Sequence, residues 1–219
     1  MIKVLVLDFD GLVVESEAIK DAAFVEVFPE FPEHHEAIRT YHLANKHLVR
    51  YAKFRHIVQN ILGRPYTPED ERRIAEAYAR RTRQAIVACP FVPGAPEFLA
   101  HFAGRAPMYL ASATPQDELR IIVETRGLDR YFKGIYGAPH RKPDILREVM
   151  AAEGAPPDQT VFIGDSRADM QAAEAAGVRF VARNHKDDFS GCGVPRFDDL
   201  HGIRAYLAPL VASASKETA

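Results

Sequence analysis

Val4-Leu5-Val6-Leu7-Asp8-Phe9-Asp10-Gly11 decides how this chain is read. Four apolar residues in a row, two of them β-branched, read as a buried strand. A buried strand ending in two carboxylates is a poor way to build a core and a good way to hold a divalent cation. Side chains alternate along a strand, so Asp8 and Asp10 point the same way if the strand continues through them, and Gly11 lets the backbone turn sharply just beyond. The plainer alternative is that the pair simply caps a strand at the solvent edge.

Downstream, from about residue 90, short apolar runs alternate with helical patterns, the signature of βαβ units and a parallel sheet. Strands are expected at Pro107 to Ala111, Gly134 to Tyr136, Thr160 to Ile163 and Arg179 to Ala182. Helices are expected at Ala95 to Phe102, Gln116 to Thr125, Asp144 to Glu153 and Ala168 to Ala176, three of them with a proline near the first turn. Residues 184 to 200 read as loop and Ser213 to Ala219 as a frayed end. The stretch 15 to 89 differs: it has no strand pattern and several helical ones, most clearly Ala44 to Leu62 and Pro68 to Val87. The expected division is therefore an α/β core of residues 1–14 and 90–219 with a helical insert at 15–89.

In Ala44 to Leu62 the apolar Leu48, Tyr51, Val58 and Leu62 share one side of a helix, and Lys46, Arg50 and Lys53 share another. From Arg39 to Arg83 eleven lysines and arginines face four acids, against a net charge of -2 for all 219 residues. These cations read either as the solvated faces of a helical bundle or, for Arg50 and Lys53, as contacts to an anionic substrate. The basic residues are not interleaved with aromatics in a nucleic-acid-binding module. The two cysteines, Cys89 and Cys192, match no metal or redox spacing, which fits a reducing compartment. The N-terminal apolar run is cut short by Asp8 and is no signal peptide, and no apolar stretch reaches the ~20 residues that span a bilayer. A cytoplasmic location without membrane contact is expected, with a monomer as the default.

Chemistry concentrates at four strand ends, where the crevice of an open parallel sheet lies. Asp8 and Asp10 follow the first strand. Ser112 follows Met108-Tyr109-Leu110-Ala111, where a hydroxyl and free backbone N–H groups at a helix start grip a phosphate oxygen. Lys142 stands in His140-Arg141-Lys142-Pro143-Asp144, and Asp165 and Asp169 stand in Gly164-Asp165-Ser166-Arg167-Ala168-Asp169. Taken singly each has a plainer explanation. Ser112 suits a helix cap, Lys142 a solvated surface, and Asp165 an N-cap with Asp169 as a favourable first-turn charge. Their joint order is what carries weight.

In that order the chain resembles the haloacid dehalogenase-like hydrolase superfamily, in the branch whose helical cap is inserted after the first motif. Asp8-Phe9-Asp10-Gly11 with Ser16-Glu17 resembles the family's first motif, Ser112 its second, Lys142 its third, and Gly164-Asp165 with Asp169 its fourth. After Ser112 the chain reads Ala113-Thr114, where many relatives carry asparagine or glycine. The resemblance implies a Rossmann-like core and an Mg²⁺-dependent phosphatase. In it Asp8 attacks phosphorus and forms an aspartyl-phosphate, and Asp10 protonates the leaving oxygen and then activates water. Lys142 offsets the repulsion between Asp8 and the phosphate. Asp8, the backbone carbonyl of Asp10 and Asp165 are the implied metal ligands, with Asp169 orienting Lys142 or a metal-bound water.

The family's dehalogenases and phosphonate-cleaving members replace the second aspartate, so Asp10 favours phosphate ester hydrolysis. The implied substrate is a small phosphorylated metabolite such as a sugar phosphate, selected by the cap. Two other readings stand beside this one. A sugar-phosphate mutase shares all four motifs. A phosphate-sensing module would bind Mg²⁺ and accept a phosphoryl group without turnover, but would not need Asp10 or the insert. Glu15 and Glu17 flank the expected hinge and read equally well as first-turn helix acids.

Overall fold

The computed structural model describes residues 1–46, 48–185 and 187–211, so Ser213 to Ala219 lie outside the described residues. The chain divides into two compact units, one of Met1–Glu15 with Pro90–Ala219 and one of Ser16–Cys89. The first unit is built on six parallel strands: β1 (Val4–Leu7), β2 (Met108–Pro115), β3 (Gly134–Ala138), β4 (Thr160–Gly164), β5 (Arg179–Arg183) and β6 (Arg196–Phe197). Their spatial order is β3-β2-β1-β4-β5-β6. Chain order reverses at β1, whose Leu7 pairs with Leu110 of β2 on one side and Ile163 of β4 on the other. That is the topological switch point at which open α/β sheets place a ligand crevice.

All four residues of β1 are buried, as a central strand covered on both faces requires. Val4 and Val6 join Phe162 and Phe180 in a cluster with Ile145, Leu146 and Val149 of one helix (Lys142–Glu153) and Ala172 and Ala173 of another (Arg167–Ala176). Leu5 and Leu7 point to the opposite face by strand alternation. Each such large apolar side chain, fully buried, contributes about 1.5–3 kcal/mol.

The unit of Ser16–Cys89 is helical: α1 (Glu17–Glu26), α2 (His35–Ala44), α3 (Arg50–His56) continuing as a π-turn over Ile57–Ile61, and α4 (Pro68–Ala88). In α4, Thr67 and Asp70 form a capping box, and Pro68 stands in the first turn. Phe24, Ile38, Phe54, Ile57, Val58, Ile74 and Tyr78 make its core. Among the described residues no helix is long and apolar enough to cross a membrane.

Several local expectations are corrected. Ala44 to Leu62 is not one helix: α2 ends at Ala44, and α3 starts only at Arg50. Lys46 therefore lies in a turn; of the expected apolar side Val58 is buried and Leu62 packs against the core of the unit, Tyr51 is exposed, and Phe54 and Ile57 complete the inward side. β2 runs past Ala111 to Pro115, so Ser112 lies inside a strand, not beyond its end. The helix that follows, Gln116–Thr125, starts after the proline. The stretch 184 to 200, read as loop, holds β6 and leads into a helix over Leu200–Leu207.

Candidate active site

β1 ends at Leu7, directly before the aspartates. Asp8 N–H still donates to Ile163 O at 2.9 Å, which ties it to the end of β4. A tight turn follows: Val13 N–H donates to Phe9 O at 2.9 Å, and Gly11 N–H to Val14 O at 2.9 Å. Gly11 has φ 74°, a conformation that favours glycine. The turn gives the two carboxylates different partners.

Asp8 Oδ1 lies 2.9 Å from Lys142 Nζ, which also reaches Asp169 Oδ1 at 2.5 Å. Lys142 is the first residue of its helix rather than a residue ahead of it. A cation there meets the positive end of the helix dipole, and two carboxylates offset that misfit. Asp169 serves twice. Its Oδ1 holds Lys142, and its Oδ2 accepts Ser166 N–H at 3.2 Å and Ser166 Oγ–H at 2.5 Å in a capping box that starts the helix Arg167–Ala176. Gly164 makes room for it, since a Cβ at 164 would lie 2.6 Å from the Asp169 Cβ. Gly164→Ala is therefore expected to push Asp169 off Lys142 and to cost about 1–3 kcal/mol of stability, read as a lowered Tm in thermal unfolding.

Asp10 Oδ2 accepts two hydroxyl hydrogen bonds, from Thr114 Oγ1 at 2.9 Å and from Ser112 Oγ at 3.3 Å. Ser112 Oγ in turn accepts Thr114 N–H at 3.1 Å. Thr114 was not among the sequence candidates. The signal that finds it is its spacing, since residue i+2 from Ser112 on an extended strand faces the same way.

Asp8, Asp165 and Asp169 each offer a carboxylate oxygen, and these three lie within 4.8 Å of one another. All three residues are buried, as is Asp10. Burial pushes the Asp8 carboxyl up to about 7; the Lys142 ammonium opposes this, and the neighbouring Asp169 and Asp10 reinforce it. Burial pulls the Lys142 ammonium down, but Asp169 and Asp8 outweigh it and hold its pKa above the usual lysine range. Among the described residues, the Lys142 ammonium meets two of these carboxylates, Asp8 and Asp169. Two like charges 4 Å apart cost about 4 kcal/mol at an effective dielectric near 20. Three hard oxygen donors in that field suit a hard divalent cation.

The family model for haloacid dehalogenase-like hydrolases matches residues 2–177. The chain belongs to that family. Among similar members, phosphoglycolate phosphatase 1 of Pseudomonas aeruginosa is 31% identical over 191 residues, which cover 82% of this chain and 68% of that protein. The phosphoglycolate phosphatase of Pseudomonas syringae is 41% identical over 83 residues, covering 36% of this chain and 30% of that protein. The chain thus matches less than a third of the length of the latter. A haloacid dehalogenase-superfamily hydrolase of subfamily IA from Geobacter sulfurreducens shares the fold at a TM-score of 0.67. It is 21% identical, with 94% of this chain and 96% of that chain covered.

Of the residues singled out from the sequence, Asp8, Lys142 and Asp169 meet through direct contacts, and Asp10 and Ser112 meet through another. Asp165 joins them through its carboxylate. Sequence reasoning missed Arg183 as well as Thr114. From the end of β5, Arg183 donates to Gly11 O at 2.7 Å and to both Glu15 carboxylate oxygens at 2.6 and 3.1 Å, which anchors the loop after Asp10. Glu15 is thus an ion-pair partner of Arg183, and Glu17, a first-turn acid of α1, lies 3.8 Å from Lys46 Nζ.

In the helical unit, Arg50 lies over the rings of Tyr51 and Tyr78. Lys53 does not share a solvated face with Lys46 and Arg50. It is 5% exposed, with Nζ 4.3 Å from the Phe24 ring centroid and 3.3 Å from His42 Nδ1. His42 Nε2 pairs with Asp21 Oδ1 at 2.9 Å. Burial lowers the His42 pKa, and Asp21 only partly opposes it.

Proposed function

We propose that the protein is an Mg²⁺-dependent phosphatase acting on a small phosphorylated metabolite through an aspartyl-phosphate on Asp8. The observation that carries this reading is the split of the two aspartates: Asp8 faces a lysine and two further carboxylates, and Asp10 faces two hydroxyls. A nucleophile needs the first setting and a group that gives and takes a proton needs the second.

Asp8, Asp165 and the backbone carbonyl of Asp10 would hold the cation. Bound there, Mg²⁺ would neutralise charge on the phosphoryl oxygens. Lys142 screens Asp8 from the phosphate, Asp169 holds Lys142 in place, and Ser112 hydrogen-bonds a phosphoryl oxygen. Asp10 keeps its side chain on the hydroxyls, apart from the metal carboxylates, so its proton remains available.

The names of the Pseudomonas relatives make a small phosphorylated carboxylate such as phosphoglycolate the first substrate class to test, with sugar phosphates next. The test is a screen of small phosphomonoesters for phosphate release, with and without Mg²⁺. Mg²⁺-dependent release with preference for a phosphorylated acid or sugar supports the reading; no release from any ester by folded protein overturns it. Arg50 and Lys53 are proposed contacts of the helical unit with the substrate's anionic tail. Arg50→Glu and Lys53→Met are expected to raise KM for an ester with an anionic tail more than for one with a neutral tail. Equal effects on both would remove them from the binding surface.

A further inference from the structure

The end of β2 is built to deliver two hydroxyls to one atom. Its pairing with β3 shifts register there: Ala111 pairs with Tyr136, but the next pair is Pro115 with Ala138. An irregularity of this kind re-aims side chains at the end of a strand. Gln116 pins the segment to β3, its Nε2–H donating to Ile135 O at 2.9 Å and its Oε1 accepting Gly137 N–H at 2.6 Å. Gly137 has no Cβ because one would lie 2.5 Å from Thr114 O. The backbone of Thr114 is therefore fixed by its surroundings, and its hydroxyl is buried against Asp10.

We propose that Thr114 is a positioning residue that fixes which oxygen of Asp10 handles the proton; this rests on the phosphatase reading above. A carboxyl group that accepts a hydroxyl hydrogen bond at Oδ2 carries its acidic proton on Oδ1. In the first step a bond forms between an Asp8 oxygen and phosphorus as the bond from phosphorus to the leaving oxygen breaks, and the Asp10 proton passes to that leaving oxygen. In the second step a water oxygen bonds to phosphorus and gives a proton to Asp10 as the Asp8–phosphorus bond breaks. Ser112 makes the longer of the two bonds to Asp10, 3.3 Å against 2.9 Å. When Ser112 turns to the phosphoryl group, Thr114 keeps Asp10 aligned.

A general acid matters most when the leaving group is a poor one. The test compares kcat/KM, which reports the first step, for p-nitrophenyl phosphate and for an alkyl phosphate such as glycerol phosphate. The comparison is made in wild type, Thr114→Val, Thr114→Ser and Asp10→Asn. Thr114→Val is expected to lose roughly tenfold or more on the alkyl ester beyond its loss on the aryl ester, a part of the ~10²–10⁴-fold that a placed acid supplies. Thr114→Ser, which keeps the hydroxyl, is expected to recover the alkyl activity. Thr114→Ala takes the place of the valine variant should the latter fail to fold.

Equal losses on both esters, no loss, or a serine variant as impaired as valine would overturn the assignment. Asp10→Asn separates the two layers of the argument. A leaving-group-dependent loss there without one at Thr114 sinks the Thr114 role alone, whereas a folded wild type inactive on every ester of the screen sinks the phosphatase reading and this role together.

Discussion

Asp8→Asn is expected to abolish release of phosphate from every ester the wild type hydrolyses, with a loss on the order of 10⁵-fold, the scale on which removing a covalent nucleophile acts in other enzymes. The size follows from the geometry. Asp8 sits at the switch point, tied to the end of β4, with Lys142 at 2.9 Å and the carboxylates of Asp165 and Asp169 close by. Asparagine fits that space and keeps the backbone hydrogen bonds, so the protein folds. Its amide is no nucleophile towards phosphorus. Folding of the variant is checked by circular dichroism and thermal unfolding. Near-wild-type turnover in this variant would show that the phosphoryl group is attacked by something else.

Lys142→Met produces the second large effect, on stability as well as activity. Methionine fills the volume of the lysine stem but leaves Asp8 and Asp169 facing each other without the ammonium between them. Removing one partner of a buried pair costs about 3–5 kcal/mol because the other charge stays behind. The Lys142 side chain is 16% exposed, so ~3 kcal/mol is expected. For a domain of this size that lowers Tm by roughly 6–12 °C.

The pH dependence has a defined sign. Asp8 in the folded metal-free protein has its pKa raised from 3.8 to about 7, so the native state binds more protons than the unfolded chain between those values. Stability of chelator-treated wild type therefore falls as pH rises across that window. Without the ammonium that opposes the rise, the fall in Lys142→Met extends to higher pH. Added Mg²⁺ is expected to recover part of the lost Tm in both proteins at pH 8, by mass action on the folded state. A Lys142→Met protein as stable as wild type at every pH would show that the carboxylates are not in electrostatic conflict.

How much of this was legible in the sequence varies from residue to residue. The apolar run before Asp8, the alternation of strand and helix from residue 90, and the prolines near helix starts carry their meaning locally, and they gave the α/β class and the position of β1. Lys142 and Asp169 were legible as candidates because each follows a strand in a parallel sheet. That they share a contact depends on the β1–β4 adjacency, which no local pattern encodes.

Ala44 to Leu62 is misleading because its apolar spacing runs on from the end of α2 at Ala44 to the start of α3 at Arg50 as if one helix joined them. On a single helix Lys46, Arg50 and Lys53 would share one face, but only the last two belong to α3. The burial of Lys53 comes from Phe24 and His42, well removed in sequence. β6, with two residues, is too short to carry a period. Thr114 was hidden by Pro115, which reads as the first turn of a helix but ends a strand whose irregular pairing only β3 explains.

The central claim, a phosphoryl group carried on Asp8, is tested most directly by trapping it. The Asp10→Asn variant is mixed with an aryl phosphate, whose leaving group needs no proton, in the presence of Mg²⁺. The reaction is then quenched in acid, and the peptides are analysed by mass spectrometry. The account predicts a phosphoryl adduct on the peptide containing Asp8, accumulating because the variant lacks the base that activates water, and absent from Asp8→Asn. Phosphate release by the wild type with no adduct at Asp8 in the trapped variant, or with an adduct on another residue, would contradict it.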